Sequence, residues 1–137
     1  MSLPDKIELE IVTPERLFFS GAVDEVNVPG AEGYLGILPG HAPLLSELRI
    51  GVISYRQGNQ ESHLFCSWGF AEVLPDRVSV LAEMVEFPDQ IDVERAREQR
   101  DEAEKRLRSM DEDVDYVQTM DALQQAEVQL ELAKKSR

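Results

Sequence analysis

The first part of the chain alternates apolar and polar residues with a period of two. Ile7, Leu9 and Ile11 alternate with Glu8 and Glu10 near the N-terminus. A period of two places successive side chains on opposite faces of a β-strand, so such runs predict strands with one buried and one solvated face. The same alternation returns at residues 26–28, 70–73 and 78–80.

Turn-forming residues separate these runs and then stop. The 8 glycines all lie at or before Gly69, and the 7 prolines all lie at or before Pro88. Short strands with frequent turns are typical of a sandwich, and one solvated face per strand favours antiparallel pairing. We therefore predict an antiparallel β-sandwich over residues 1–88. The turn signals lie at residues 13–15, 28–30, 57–59 and 74–76.

Residues 89–137 contain neither glycine nor proline and predict two α-helices. Asp92 is expected to cap the first helix and Asp113 the second, which continues to about Lys134. The break at residues 109–112 is short, so we expect the helices to pack as an antiparallel hairpin. The predicted fold class is mainly β plus α, with the sandwich domain followed by a helical hairpin domain at 89–137.

Apolar residues fall on one side of the first predicted helix and on two sides of the second, at about 100° per residue. A helix with two apolar faces packs against two surfaces, here the first helix and either the sandwich or a separate protein. The stripe on the first helix consists of Val93, Ala96, Ala103, Leu107 and Met110. Those on the second consist of Tyr116, Met120, Ala122, Leu123, Ala126, Leu130 and Ala133, and of Val114, Val117, Val128 and Leu132.

Alanine is frequent in these stripes, which weakens the predicted hairpin. Burying a large aliphatic side chain contributes about 1.5–3 kcal/mol, and burying an alanine contributes far less. Two short helices are also poorly stable alone. We therefore expect the hairpin to dock reversibly and to be the mobile part of the molecule.

The charge balance excludes several classes of partner. The chain carries 27 acidic and 14 basic residues, for a formal net charge of −13. Nucleic acids and anionic membrane surfaces both require clustered Lys and Arg. No apolar run approaches the roughly 18 residues that span a bilayer, and the N-terminal residues do not resemble a signal peptide. We expect a soluble protein that docks on specific protein surfaces.

Cys66 is the single cysteine of the chain, so it has no internal disulfide partner. It lies in a strand-like apolar run, which favours a small buried hydrophobic side chain over a reactive thiol. A free thiol suits a reducing cytoplasm.

A glycine- and proline-rich segment at residues 32–45 predicts a shaped loop. Gly36 and Gly40 permit unusual backbone angles, whereas Pro39 and Pro43 restrict φ and keep the segment out of a central strand. Two interpretations stay open: ordinary turn chemistry, and a binding loop on a rigid scaffold.

His41 lies in this loop and invites a catalytic interpretation, but no nucleophile lies in a recognisable motif. No cluster of residues has the spacing of metal ligands, so we expect no metal site and no catalytic residues. His41 is expected either to stabilise the loop by a hydrogen bond or to contact a partner.

Four segments resemble the epsilon subunits of bacterial rotary ATP synthases. They follow one another in the family's order and cover nearly the whole chain, and the second is long and specific. They are IVTPERLFFSG at residues 11–21, EGYLGILPGHAPLL at 32–45, IDVERA at 91–96 and DVDY at 113–116.

This resemblance implies a non-catalytic rotor subunit that couples proton-driven rotation to ATP synthesis. The implied partners are the gamma subunit of the central stalk, the c-ring of the membrane sector and, through the hairpin, the catalytic alpha and beta subunits. It also implies a peripheral location at the cytoplasmic face of the inner membrane, and a hairpin that extends to restrain ATP hydrolysis. The expected contacts with the stalk and the ring are Glu32, Gly33, Tyr34 and His41.

The segment at 91–96 has two interpretations. The simpler one is a helix start, with Asp92 as cap and Ala96 packed. The resemblance also implies a regulatory ATP site formed by Ile91, Asp92, Arg95 and Ala96, with Arg95 pairing with phosphate. The second predicted helix has no Lys or Arg before Lys134, so binding should be weak, and no Walker-type loop suggests ATP hydrolysis.

Two other functions remain as alternatives. One is a β-sandwich that binds a small molecule and dimerises through the hairpin. A stable dimer with a deep pocket would support this alternative. The other is an enzyme that uses acidic side chains and His41, which lacks a supporting motif.

Overall fold

The computed structural model describes residues 3–135, which form ten strands, a short 3₁₀ helix and two α-helices. This order confirms the predicted fold class of a β-sandwich followed by two helices. The strands are β1 (Ile7–Val12), β2 (Leu17–Val23), β3 (Glu25–Gly30), β4 (Gly33–Ile37), β5 (Leu44–Leu48), β6 (Gly51–Gln57), β7 (Gln60–Cys66), β8 (Gly69–Leu74), β9 (Arg77–Ala82) and β10 (Val85–Glu86). The 3₁₀ helix is Pro88–Gln90, and the α-helices are α1 (Val93–Arg108) and α2 (Tyr116–Lys135).

The strands form one continuous ladder in the order β10-β7-β6-β3-β5-β8-β9-β1-β2, with β4 paired to the other side of β3. The link between β3 and β5 is a single residue pair, Gly30 with Leu48. At this link the sheet turns from one layer, β3, β4, β6, β7 and β10, to the other, β5, β8, β9, β1 and β2. The rings of Phe19 in β2 and Tyr55 in β6 meet across the layers, with their centroids 4.3 Å apart.

The predicted alternation explains the core. Ile7, Leu9 and Ile11 are buried, whereas Glu8 and Glu10 on the same strand are exposed. Burial of large aliphatic side chains from both layers supplies the main stabilisation of the sandwich. The other members of this core include Val26, Val28, Ile37, Leu48, Ile53, Leu64, Ala71, Val73, Val78 and Val80.

One pairing departs from the expected antiparallel pattern. β1 and β9 are parallel, with Leu9 opposite Val78 and Ile11 opposite Val80. Parallel neighbours need a long connection, and here the seven intervening strands supply it. Periodicity within one strand contains no information about the direction of a partner so far along the chain.

The turns agree with the sequence at most positions. Gly58 has φ +64 in the tight reversal between β6 and β7, and Gly40 has φ +89 in the loop before β5. Two expectations were wrong. Pro29 and Gly30 belong to β3, and Gly36 lies within β4 without a positive φ.

The two helices begin at different kinds of cap. Asp92 caps α1 as predicted, because its Oδ1 accepts a hydrogen bond from the Arg95 backbone N–H at 3.1 Å. The predicted cap at Asp113 was wrong: Asp115 caps α2, its Oδ1 accepting from the Gln118 N–H at 3.1 Å. Asp113 instead donates its own N–H to Asp111 Oδ1 in the preceding turn, so the helix starts later.

The hairpin packs on the layer that contains β6 and β7. Leu132 and Ala133 of α2 join Ile50 and Phe65 of the sandwich and Ile91 in a small buried cluster. The side chain of Gln129, also buried, donates to the Glu86 carboxylate of β10. Val128 and Leu132, from the second predicted apolar stripe, therefore face the sandwich, whereas Val117 of that stripe is 75% exposed.

Cys66 is buried in the sandwich core, as predicted. Burial raises the pKa of its thiol to about 12, because the thiolate would lose its hydration. No helix among residues 3–135 is long and apolar enough to cross a membrane.

Candidate interaction surfaces

The predicted contact residues Glu32, Gly33 and Tyr34 lie together at one end of the sandwich. β3 and β4 are paired up to Gly30 and Gly33, so Glu32 is at the tip of the hairpin that they form. Gly33 has φ +131, a backbone conformation that side chains other than hydrogen rarely allow. This tight reversal leaves the Glu32 carboxylate exposed to solvent.

Tyr34 has a structural role in addition to its 64% exposed ring. Its hydroxyl accepts a hydrogen bond from the Val52 backbone N–H of β6 at 3.1 Å. Pro29, the nearby β3 residue, uses its carbonyl to accept from the Arg49 N–H instead. The Tyr34 hydroxyl thus accepts from a backbone N–H of β6 at the point where β3 no longer pairs with that strand. This hydrogen bond holds the Tyr34 side chain against β6.

His41 lies away from these three residues. It follows the far end of β4, which separates it from Gly33 by about 13 Å of extended strand. Its Nδ1 is 2.7 Å from the Ala42 carbonyl, and the neighbouring Gly40 N–H donates to the Pro75 carbonyl. A hydrogen bond therefore stabilises this loop at His41, and the four candidate contact residues divide between two ends of the sandwich.

A row of apolar residues crosses the outer face of the second layer, on four neighbouring strands. Val12 of β1 lies opposite Leu17 of β2 and Leu81 of β9, and Leu81 lies opposite Phe70 of β8. Leu17, Leu81 and Phe70 are each 53–57% exposed. This apolar row was missed in the sequence, although Phe70 was visible as an apolar residue at the solvated position of an alternating run.

Further exposed leucines lie on or near the same layer, and of the two on β5 only Leu45 shares the outer face, because Leu44 lies opposite the buried Val73. Leu44 and Leu45 on β5 are 41% and 69% exposed, and Leu38 in the loop before β5 is 56% exposed. Contiguous exposed apolar area on a folded domain marks a contact surface for another molecule. The hairpin packs on the opposite layer and does not cover this one.

The motif at residues 91–96 is packed into the protein. Ile91 and Ala96 are 4% and 2% exposed, so their side chains are not available to a ligand. Asp92 uses one carboxylate oxygen as the helix cap, and Arg95 is exposed at the surface. Glu86 of β10 and Gln129 of α2 lie beside Asp92 and Arg95, which both remain exposed.

The cavity beside Asp92 and Arg95 is small. It has a volume of about 120 Å³, whereas pockets for small molecules usually measure about 300–1,000 Å³. Its walls on the helices carry amide side chains, Gln99, Gln125 and Gln129, where further cations would be needed to balance a triphosphate. This cavity is therefore too small for a nucleotide, whereas Arg95 also lines a second cavity of about 510 Å³ together with Arg106.

The distal end of the hairpin is a further apolar surface. Met110 and Val117 are 95% and 75% exposed, and Tyr116 and Met120 are about half exposed at 48% and 54%. The predicted stripe that contains Tyr116 and Met120 is therefore fully buried only at its later members Ala126 and Ala133. No group of three or more metal-ligating side chains occurs within residues 3–135.

Two family models together match residues 6–134 of the chain. The one described as "ATP synthase, Delta/Epsilon chain, beta-sandwich domain" matches residues 6–88, and the one described as "ATP synthase, Delta/Epsilon chain, long alpha-helix domain" matches residues 89–134. The chain belongs to the delta/epsilon chain family of ATP synthases.

Individual relatives agree with this family. The ATP synthase epsilon chain of Koribacter versatilis is 51% identical over 107 residues, which cover 78% of this chain and 75% of the relative. That of Nitratidesulfovibrio vulgaris strain DP4 is 48% identical over 120 residues, covering 88% and 90% of the two chains.

A solved structure shares the arrangement of sandwich and hairpin. It is a chain in the Euglena gracilis mitochondrial ATP synthase, solved as OSCP/F1/c-ring in rotational state 1. The TM-score is 0.85 at 26% identity, and the match covers 98% of this chain and 84% of the other. A chain of an assembled ATP synthase therefore has the same fold.

Proposed function

We propose that the chain is a non-catalytic rotor subunit of a proton-translocating ATP synthase, located peripherally at the cytoplasmic face of a bacterial inner membrane. Family membership supports the complex. The exposed apolar row of Leu17, Leu81 and Phe70 is the observation that supports a docking role, because a solvated sandwich face would not otherwise carry large side chains on adjacent strands.

The gamma subunit of the central stalk is the proposed partner of this apolar row. Serine at Phe70 and Leu81 removes apolar contact area from two exposed positions without opening the core. We expect the double variant Phe70→Ser/Leu81→Ser to fold normally and to bind purified gamma subunit at least about tenfold more weakly. The control is Val117→Ser, an apolar position on the hairpin that is more exposed, at 75%, than Phe70 and Leu81. Unchanged affinity in the double variant would refute this surface.

The end of the sandwich that carries Glu32 is the proposed contact with the c-ring. The turn there contains the Glu32 carboxylate and Gly33 with its positive φ, so the tip of the sandwich is rigid and charged. We expect Glu32→Lys to reduce association with c-ring-containing membrane sectors, and Glu15→Lys, at the turn between β1 and β2, to leave it unchanged. Equal binding of both variants would argue against this orientation.

The hairpin is proposed to regulate ATP hydrolysis by leaving the sandwich and reaching the catalytic alpha and beta subunits. Its attachment is small: the apolar cluster around Leu132 and the hydrogen bond between Gln129 and Glu86. A docked state held by few contacts lies within reach of an extended state. A disulfide engineered between α2 and β7 should raise the hydrolysis rate of the reconstituted complex, and an unchanged rate would contradict the regulatory role.

Weak regulatory binding of ATP at Ile91, Asp92, Arg95 and Ala96 stays a proposal that requires the hairpin to open. The exposed Arg95 guanidinium is the group available for phosphate. Calorimetry with the full chain should detect only weak ATP binding, reduced further by Arg95→Ala. Tight binding that Arg95→Ala does not affect would place the nucleotide elsewhere.

A further inference from the structure

A groove of about 940 Å³ runs between the hairpin and the sandwich, on the side away from the apolar row. One wall is the outer face of β6 and β7, and the other is the C-terminal half of α2. Val52, Val128 and Leu132 provide apolar lining, and the Tyr34 ring contributes an aromatic wall. Its size lies within the range of about 300–1,000 Å³ that is usual for small-molecule sites.

The charged groups around the groove are mainly acidic. Glu61 of β7 and Glu127 of α2 line it from opposite walls, and neither has an ion pair within residues 3–135. Glu131 and Lys135 also line the groove and pair with each other at 3.6 Å, and the lining His63 ring is hydrogen-bonded to Ser54. Two uncompensated carboxylates beside apolar surface attract a cation, and the net charge of −13 adds to this attraction.

We propose that this groove binds an organic monocation with an apolar, aromatic body. The body would lie on Val52, Val128 and Leu132, and the positive charge between the carboxylates of Glu61 and Glu127. The Tyr34 ring also lines the groove, and aromatic rings attract cations by cation–π interaction. An anion of the same shape would meet the two carboxylates without compensation.

Occupation of the groove would hold the hairpin in place. Because one wall belongs to α2 and the other to β6 and β7, the complete site exists only while the hairpin is docked. A ligand that binds one state stabilises it in proportion to RT ln(1 + [L]/Kd). The binding is a property of the isolated chain, whereas its meaning as a restraint on the hairpin rests on the proposed regulatory function.

Tetraphenylphosphonium and tetraphenylborate are a matched pair of probes, since they share a shape and differ in the sign of their charge. Calorimetry on the full chain at low salt should show that the cation binds at least about tenfold more tightly than the anion. Glu61→Gln/Glu127→Gln should abolish this preference, whereas Glu112→Gln, on the loop between the helices, should preserve it. Glu127→Lys should move the preference toward the anion.

Hydrogen exchange of the α2 amides reports on docking. The cation should slow exchange in residues 126–133, and it should not do so in Glu61→Gln/Glu127→Gln. Equal binding of both probes, or a preference that the double variant retains, would overturn the proposal. So would a dimer in light scattering that excludes the probe, because a second copy would then occupy the groove. A failure of the chain to bind the gamma subunit would count against the proposed function alone. The probe-binding results would be unaffected, because they are measured on the isolated chain.

Discussion

The amide of Gln129 in α2 donates a hydrogen bond to the carboxylate of Glu86 in β10, at a buried position between the hairpin and the sandwich. It lies next to the apolar cluster around Leu132, so a directional polar contact and a small apolar contact together hold the hairpin. A polar side chain at 7% exposure loses its hydration, so its hydrogen bond matters more than one at the surface.

Removing the acceptor should favour the undocked hairpin. Glu86→Ala leaves the Gln129 amide buried without its partner, at a cost of about 1–3 kcal/mol to the docked state. We expect faster hydrogen exchange along α2 and little change in the strands of the sandwich core. The control is Glu131→Gln, which alters an exposed carboxylate on the same helix. Protection of α2 that is equal in both variants would show that the apolar cluster alone determines docking.

The position of the second cap predicts a difference between two neighbouring aspartates. Asp115→Ala removes the hydrogen bond to the Gln118 N–H and should destabilise α2 by about 0.5–2 kcal/mol. Asp113→Ala, with the same change of charge, should have a smaller effect because Asp113 precedes the helix. Thermal unfolding of both variants, followed by circular dichroism at about 222 nm, where helices give a strong signal, measures the two losses of stability. A larger loss from Asp113→Ala would restore the cap predicted from the sequence.

Gly69 lies where two strands approach closely. A Cβ at this position would be 2.0 Å from the Leu81 carbonyl oxygen and 2.8 Å from the Ala82 Cα, both in the backbone of β9. Gly69→Ala should therefore lower the free energy of unfolding by about 1–3 kcal/mol, as measured in urea. Gly36→Ala should have less effect, because its nearest neighbour is the Asn27 side chain at 3.2 Å. Equal urea midpoints for the two variants would mean that β9 moves away from the new Cβ without a loss of stability.

The buried thiol predicts a loss of stability at alkaline pH. The pKa of Cys66 rises from 9.0 to about 12 on folding, so the folded chain keeps its proton where the unfolded chain loses it. This contribution is complete below pH 9 and is lost between pH 9 and about 12, with a slope that approaches about 1.4 kcal/mol per pH unit. Cys66→Ala should show a shallower decline over this range. A native thiol that reacts rapidly with disulfide reagents at pH 8 would contradict the burial.

The division near residue 88 predicts that the sandwich folds without the hairpin. Its main core lies between the two layers, and only the smaller cluster around Ile50 and Phe65 loses its cover. A chain that ends at residue 88 should keep a β-type circular dichroism spectrum and a cooperative transition, and should still bind the gamma subunit. A truncated chain without a cooperative transition would show that sandwich and hairpin form one folding unit.

Local patterns explain why much of this structure is predictable from the sequence. The alternation at Ile7, Leu9 and Ile11 specifies a half-buried strand, and the absence of glycine and proline after Pro88 permits two helices. Asp92 caps α1 because the interaction involves only neighbouring residues. The motifs that indicated the family are likewise continuous segments, and the family models confirm the family.

Pairing between distant residues was decided by the tertiary structure. The sequence by itself determined the β-sandwich class, the two helices and the family, because these depend on short-range periodicity, backbone preferences and continuous motifs. The folded chain decided that β1 runs parallel to β9, that Tyr34 bonds to Val52, and that Gln129 meets Glu86. These contacts join residues far apart in the chain, and the groove exists only where α2 lies against β6 and β7. Their formation depends on how complete surfaces fit together, which no single segment specifies.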